Sequence, residues 1–228
     1  MRKLQQLCGR VNFNERSVTH PKVHGVIMQS CGKVKMSNSD FAGAKNDFFD
    51  SFKSFDEAGL PERIDSLKYT ILAHMLSLST IDIFQAQEVK SYQTHQDLVS
   101  VYQIYLAFNN NNAPEFLKKL KESGEHFYTQ NYIKEFVPIL IEKFQRKTIV
   151  KLTSCFKRVK LPFLSKKLIL SEDQVELLVL QMIFDGSLKA KIDQFDRFLV
   201  MTEEQSITTR KYLALASMCK SLSESIKA

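Results

Sequence analysis

Between Lys147 and Met201 the sequence spells helix, helix, helix, strand, strand, and that order leaves few ways to fold. From Lys147 to Lys157, Ile149, Leu152 and Phe156 recur at helical spacing and are expected inside. Pro162 suits the first position of a second helix, ending near Leu168. Ser171-Glu172-Asp173-Gln174 is a capping box that opens a third. That helix should run to Asp185 and stop at Gly186. Leu188, Ala190 and Ile192 then alternate with Ser187, Lys189 and Lys191, as in a half-buried strand. Asp193-Gln194 turns the chain toward a second strand over Phe195–Met201.

Three helices and a two-stranded wing make a winged helix, a fold that commonly reads DNA with its third helix. Here the third helix begins Glu172-Asp173-Gln174-Val175-Glu176, with three acids and no base. Facing phosphates, those acids would lower affinity. The helix is also apolar on more than one side. A protein-binding wing is therefore expected in preference to a DNA reader.

Upstream, helical periodicity dominates, and Gly (7) and Pro (5) are too scarce for a turn-rich β architecture. Pro21 can open a helix to about Val34, with Val23, Val26, Ile27 and Cys31 on one face. After the capping cluster Ser37–Asp40 comes a helix bearing Phe41, Ala44, Phe48, Phe49, Phe52 and Phe55. Gly59-Leu60-Pro61 ends it, and Ile64 to Leu78 forms the next. Further helices are predicted over His95–Phe108, Pro114–Leu120 and Tyr132–Phe144, the last kinked or restarted at Pro138. Gly32, Ala44 and Phe48 have spacings familiar from tetratricopeptide repeats, although Ser51 stands where Ala is common. A single such hairpin suggests that the chain begins inside a longer array. The predicted organisation is helical repeats over 1–146, a winged helix over 147–203 and a last helix over 204–228. That last helix carries Tyr212, Leu215, Cys219, Leu222 and Ile226 at alternating spacings of three and four, the seam of a bundle helix.

The net charge of +7 is concentrated. From Glu115 to Lys167 thirteen bases face five acids, so the rest of the chain is about neutral. Lys143, Arg146, Lys147, Lys151, Lys157 and Arg158 are the densest part of this belt. It reads as a solvated helix face, a surface for a protein partner, or, last, a nucleic-acid site.

Residues for chemistry are scattered. His20 and His24 lack a third ligand at metal spacing. His74 sits among apolar neighbours as a core histidine would, and Cys155 beside Phe156 reads as core. Asp47 and Asp50 fit a solvated helix face. There is no Gly-rich phosphate loop, HExxH or GxSxG. No catalytic, cofactor-binding or metal residue is assigned, and an enzyme is not expected. The N-terminus lacks the apolar core of a signal peptide, and no apolar run is long enough to span a membrane. Four cysteines without CxxC spacing fit a reduced cytosolic or nuclear protein.

Several strings taken together carry a family resemblance: Asp47-Phe48-Phe49-Asp50-Ser51-Phe52, Phe55-Asp56-Glu57-Ala58-Gly59, Ser66-Leu67-Lys68-Tyr69 and Gln87-Glu88-Val89-Lys90-Ser91-Tyr92. Leu161-Pro162-Phe163-Leu164-Ser165-Lys166 and Lys191-Ile192-Asp193-Gln194 add to it. From about His20 to Met201 the chain resembles the PCI family, the scaffold modules of the proteasome lid, the COP-9 signalosome and a translation initiation factor. It is more similar to the signalosome branch than to the lid branch, mainly through Gln87–Tyr92. The resemblance implies a mainly α fold: a TPR-like helical-repeat superhelix, then a winged helix with a small β-wing and a C-terminal helix. The PCI module would begin near residue 65. It implies a non-catalytic scaffold in the cytoplasm and nucleus, supporting removal of the ubiquitin-like modifier from cullins. Implied partners are other PCI subunits, the zinc isopeptidase subunit reached through the complex, and cullin–RING ligases. Leu188, Ala190, Ile192, Phe195 and Phe198 of the wing would meet a neighbouring subunit. Tyr212, Leu215, Cys219, Leu222 and Ile226 would join a shared helical bundle. The family also has a longer N-terminal helical arm that helps hold the cullin–RING substrate.

Overall fold

The computed structural model describes residues 20–79, 81–122 and 131–201. These divide into two compact units between Ile149 and Val150, with Lys167–Ile169 assigned to the first.

In the first unit, α1 (Pro21–Ser37), α2 (Phe41–Glu57) and α3 (Glu62–Ser77) pack in succession. The caps follow the sequence chemistry. The His20 ring accepts from the Lys22 N–H, and Asp40 Oδ1 accepts from the Gly43 N–H at 2.9 Å. The buried face of α1 differs from the expected one. Val23 and Val26 are half exposed, and Gly25, Met28, Cys31 and Gly32 face inward. The reason is close approach. A Cβ on Gly32 would lie 2.6 Å from the Phe48 ring, and one on Gly25 would lie 2.7 Å from Phe55. Two bare positions seven apart thus seat two aromatics of α2, and apolar side chains in their place would hold the helices apart. Ser51 also has its explanation. Its hydroxyl donates to the Gly25 carbonyl at 2.8 Å and lies 3.2 Å from Ser66 Oγ, joining all three helices. Asp47, expected on a solvated face, is buried and receives the Lys35 ammonium at 2.8 Å.

Two 3₁₀ turns, Ile83–Gln85 and Ser91–Thr94, flank α4 (Gln87–Lys90). Then come α5 (Gln96–Asn109), α6 (Ala113–Glu122) and α7 (Asn131–Thr153). Phenylalanines dominate the core, with Phe116 and Phe144 stacked at 4.3 Å between ring centroids. The predicted break between Tyr132–Phe144 and a separate helix at Lys147 does not occur, since α7 runs through both. Pro138 is tolerated because it and Lys134, whose carbonyl it leaves unbonded, are on the exposed side. Ile133, Phe136, Leu140 and Phe144 line the buried side without interruption.

The second unit is a winged helix. It contains β1 (Arg158–Lys160), α8 (Leu161–Leu168), α9 (Glu172–Phe184), β2 (Ala190–Asp193) and β3 (Phe198–Met201). The sheet is antiparallel in the order β1-β3-β2, with Val159 opposite Leu199 and Ile192 also opposite Leu199. The capping box of α9 is present: Ser171 Oγ accepts from the Gln174 N–H at 3.3 Å, and Gln174 Oε1 from the Ser171 N–H at 3.2 Å. Gly186 ends that helix region with φ at +71°. The strand β1 lies between the first two predicted helices, where no strand had been expected. Because α7 stops at Thr153, Cys155 and Phe156 fall outside it and are exposed instead of buried. Val159, Leu164, Val175, Val179, Met182 and Leu199 supply the core.

Candidate functional site

The wing is built by the acids of α9. Glu172 pairs with Arg197, and Glu176 Oε1 accepts from Gln194 Nε2 at 3.3 Å. The carboxylates that argued against a DNA-reading helix thus fasten the turn between β2 and β3. Among the wing residues singled out by sequence, Leu188 and Ala190 are buried in the unit's own core. Ile192 and Phe198 are half-buried. Phe195, at the tip, is 98% exposed.

Two residues that sequence reasoning had not singled out extend this apolar surface. Phe184 is 85% exposed and Leu177 60% exposed, both on α9. A shallow groove lined by Leu180, Ile183, Ala190, Ile192 and Val200 runs between that helix and the edge strand β2. The signal available in advance was the excess of apolar residues on α9, more than one buried face can use. An apolar groove and large exposed apolar side chains on one small unit are what a protein-binding surface requires.

Half of the basic belt is engaged within the first unit. Lys143 Nζ donates to the Leu76 carbonyl at 2.8 Å and lies 4.1 Å from the Phe41 ring centroid. Burial holds its pKa below the ordinary lysine value. Lys147 sits 4.2 Å over the Phe108 ring, with that residue's carbonyl 3.5 Å away. Arg146 pairs with Glu142 at 3.0 Å. These three are used by the fold. Lys151, Lys157 and Arg158, in the second unit, are exposed. Tyr212, Leu215, Cys219, Leu222 and Ile226 lie outside the described residues.

His74 is buried beside Tyr105, as expected of a core histidine. Burial, reinforced by the Lys45 charge, lowers its pKa to about 4, so the ring is neutral at physiological pH. Among the described residues, no group of three or more His, Cys, Asp or Glu is placed to hold a metal ion. Nor is any helix among them long and apolar enough to cross a membrane.

Helical repeats leading into a winged helix with an exposed apolar wing define the class, and residues 116–203 match the family model of the PCI domain. Over most of its length the chain also resembles COP9 signalosome complex subunit 2. It is 30% identical to that subunit of Dictyostelium discoideum over 214 residues, 94% of this chain and 48% of the relative. It is also 30% identical to the Drosophila melanogaster subunit over 209 residues, 92% of this chain and 47% of the relative. The 26S proteasome non-ATPase regulatory subunit 11 of Dictyostelium is more distant, at 23% over 188 residues. The chain spans about half the length of the curated relatives it matches.

Proposed function

We propose that this chain is a non-catalytic scaffold subunit of a COP9 signalosome, supporting removal of the ubiquitin-like modifier from cullins and so the regulation of cullin–RING ligases. The observation that carries the reading is the similarity to subunit 2 proteins across both units, not the PCI region alone. The organisation that goes with this reading is helical repeats over 1–146, a winged helix over 147–203 and a bundle segment over 204–228. Neighbouring PCI subunits would meet the wing through Phe195 and the half-buried Ile192 and Phe198. Leu188 and Ala190 would support that surface from beneath. Tyr212, Leu215, Cys219, Leu222 and Ile226 would enter a shared helical bundle. The zinc isopeptidase subunit and the cullin–RING ligases would be reached through the assembly, in both cytoplasm and nucleus.

The test is affinity capture of the tagged protein from its own cells at moderate salt, with the co-purifying chains identified by mass. Other PCI subunits together with a zinc isopeptidase and cullins support the reading. Proteasomal ATPases and lid subunits would move the chain to the lid paralogue instead. The bundle is tested by replacing Leu215 and Leu222 together with Asp. Unchanged incorporation would remove that segment from the interface.

A further inference from the structure

A second surface of the winged helix has a different chemistry from the wing. Arg158 and Lys160 are alternate residues of β1 and project from the same side of the sheet. The guanidinium carbon of Arg158 and the ammonium of Lys160 each lie 5.5 Å from the centroid of one ring, Phe198, on the neighbouring strand. Among the described residues neither cation has a carboxylate within ion-pair distance. From Lys143 to Ser171 the chain contains no Asp or Glu that could supply one locally. Two like charges gathered on a single ring repel each other, and an anion placed between them would remove that repulsion. Beside them is a depression of about 270 Å³, lined by Phe156, Val159 and Phe163 with the two cations at its rim. Phe156 is 51% exposed and Phe163 40% exposed, so the floor is apolar and reachable.

We propose that this depression binds an acidic peptide segment, with one apolar side chain seated between Phe156 and Phe163 and flanking carboxylates held by Arg158 and Lys160. Charge complementarity selects the anion, and the Arg158 fork suits a carboxylate. The compactness of the site selects a peptide over a nucleic acid. Single-stranded nucleic acid needs a cationic groove that tracks several phosphates and successive stacking rings. Here there is one socket with a short cationic rim, and Lys143 and Lys147 of the belt are already engaged inside the first unit. The site shares Phe198 with the wing contacts proposed above, whereas Ile192 and Phe195 take no part in it.

The experiment measures fluorescence anisotropy of labelled probes with the whole chain. One probe is a short Asp- and Glu-rich peptide with a central Phe. A second carries Ser in place of that Phe, and the third is an oligo(U) strand. The expected result is saturable binding of the first probe that weakens with salt. The Ser probe, Phe163→Ala and the pair Arg158→Glu with Lys160→Glu should each weaken it roughly tenfold or more. All three substituted residues are on the surface, and circular dichroism of each variant confirms the fold. Absence of saturable peptide binding overturns the proposal. So does equal binding of the two peptides, which would reduce the site to net charge. Oligo(U) binding as tight as the peptide, with the same sensitivity to substitution, would overturn it in favour of a nucleic-acid surface.

Discussion

The ammonium of Lys143 lies 4.1 Å from the centroid of the Phe41 ring, and its nitrogen donates to the Leu76 carbonyl oxygen at 2.8 Å. One side chain of α7 therefore touches the first residue of α2 and the last turn of α3. That turn needs a donor, because α3 ends on Leu78 in the left-handed region at φ +53° and has no capping glycine. A cation at a helix C-terminus also meets the negative end of the helix dipole.

Lys143→Met keeps the aliphatic stem but removes the charge and the donor. It should lower stability by about 1–2 kcal/mol in urea unfolding, from the lost charged hydrogen bond and ring contact. The same loss in a Phe41→Leu background would show that the ring contributes nothing to it. A smaller loss there measures the coupling.

The Gly32–Phe48 seat gives a sharper prediction. Gly32→Ala improves helix propensity by about 1 kcal/mol, which alone predicts stabilisation. Its Cβ would meet a fully buried ring at 2.6 Å. Overpacking should win, with a net loss of about 1–2 kcal/mol and a lower Tm. The companion Phe48→Leu should recover part of that loss when combined with Gly32→Ala.

His74 sets a pH dependence. Its pKa is lowered from an ordinary 6.5 to about 4, chiefly by burial. Between those values the unfolded chain binds the proton and the folded protein does not, so stability falls as pH falls. The contribution is fully present above pH 6.5 and is lost as pH drops through about 4. Its full size is on the order of 3 kcal/mol. Denaturant midpoints across this window should decline in the native protein and flatten in His74→Gln. An unchanged slope in that variant would assign the acid sensitivity to other groups.

Phe184 and Phe195 are 85% and 98% exposed. Replacing both with Ser should leave the Tm within about 1 °C, because neither side chain supports the core. Under the scaffold reading, the same variant should lose its PCI neighbours in affinity capture. Retained neighbours with an unchanged Tm would place the contact elsewhere on the winged helix.

Local chemistry was readable along the chain, because it depends on neighbours in sequence. The Ser171 capping box, the Asp40 cap and the Gly186 stop all act within a few residues of themselves. The small-residue and aromatic spacing of Gly32 and Phe48 likewise foretold a close helix pair. The winged-helix order followed from periodicity. Tertiary structure decided what periodicity cannot carry. The strand β1 is three residues long and exists only because β3, some forty residues later, pairs with it. Continuity of α7 through Pro138 depended on which side of the helix faced solvent. The apparent basic belt was resolved by partners remote in sequence: Leu76 for Lys143 and Phe108 for Lys147. A charge count along the chain locates cations. Only the packing decides which of them a helix end or an aromatic ring has already taken, and which remain on the surface for a partner.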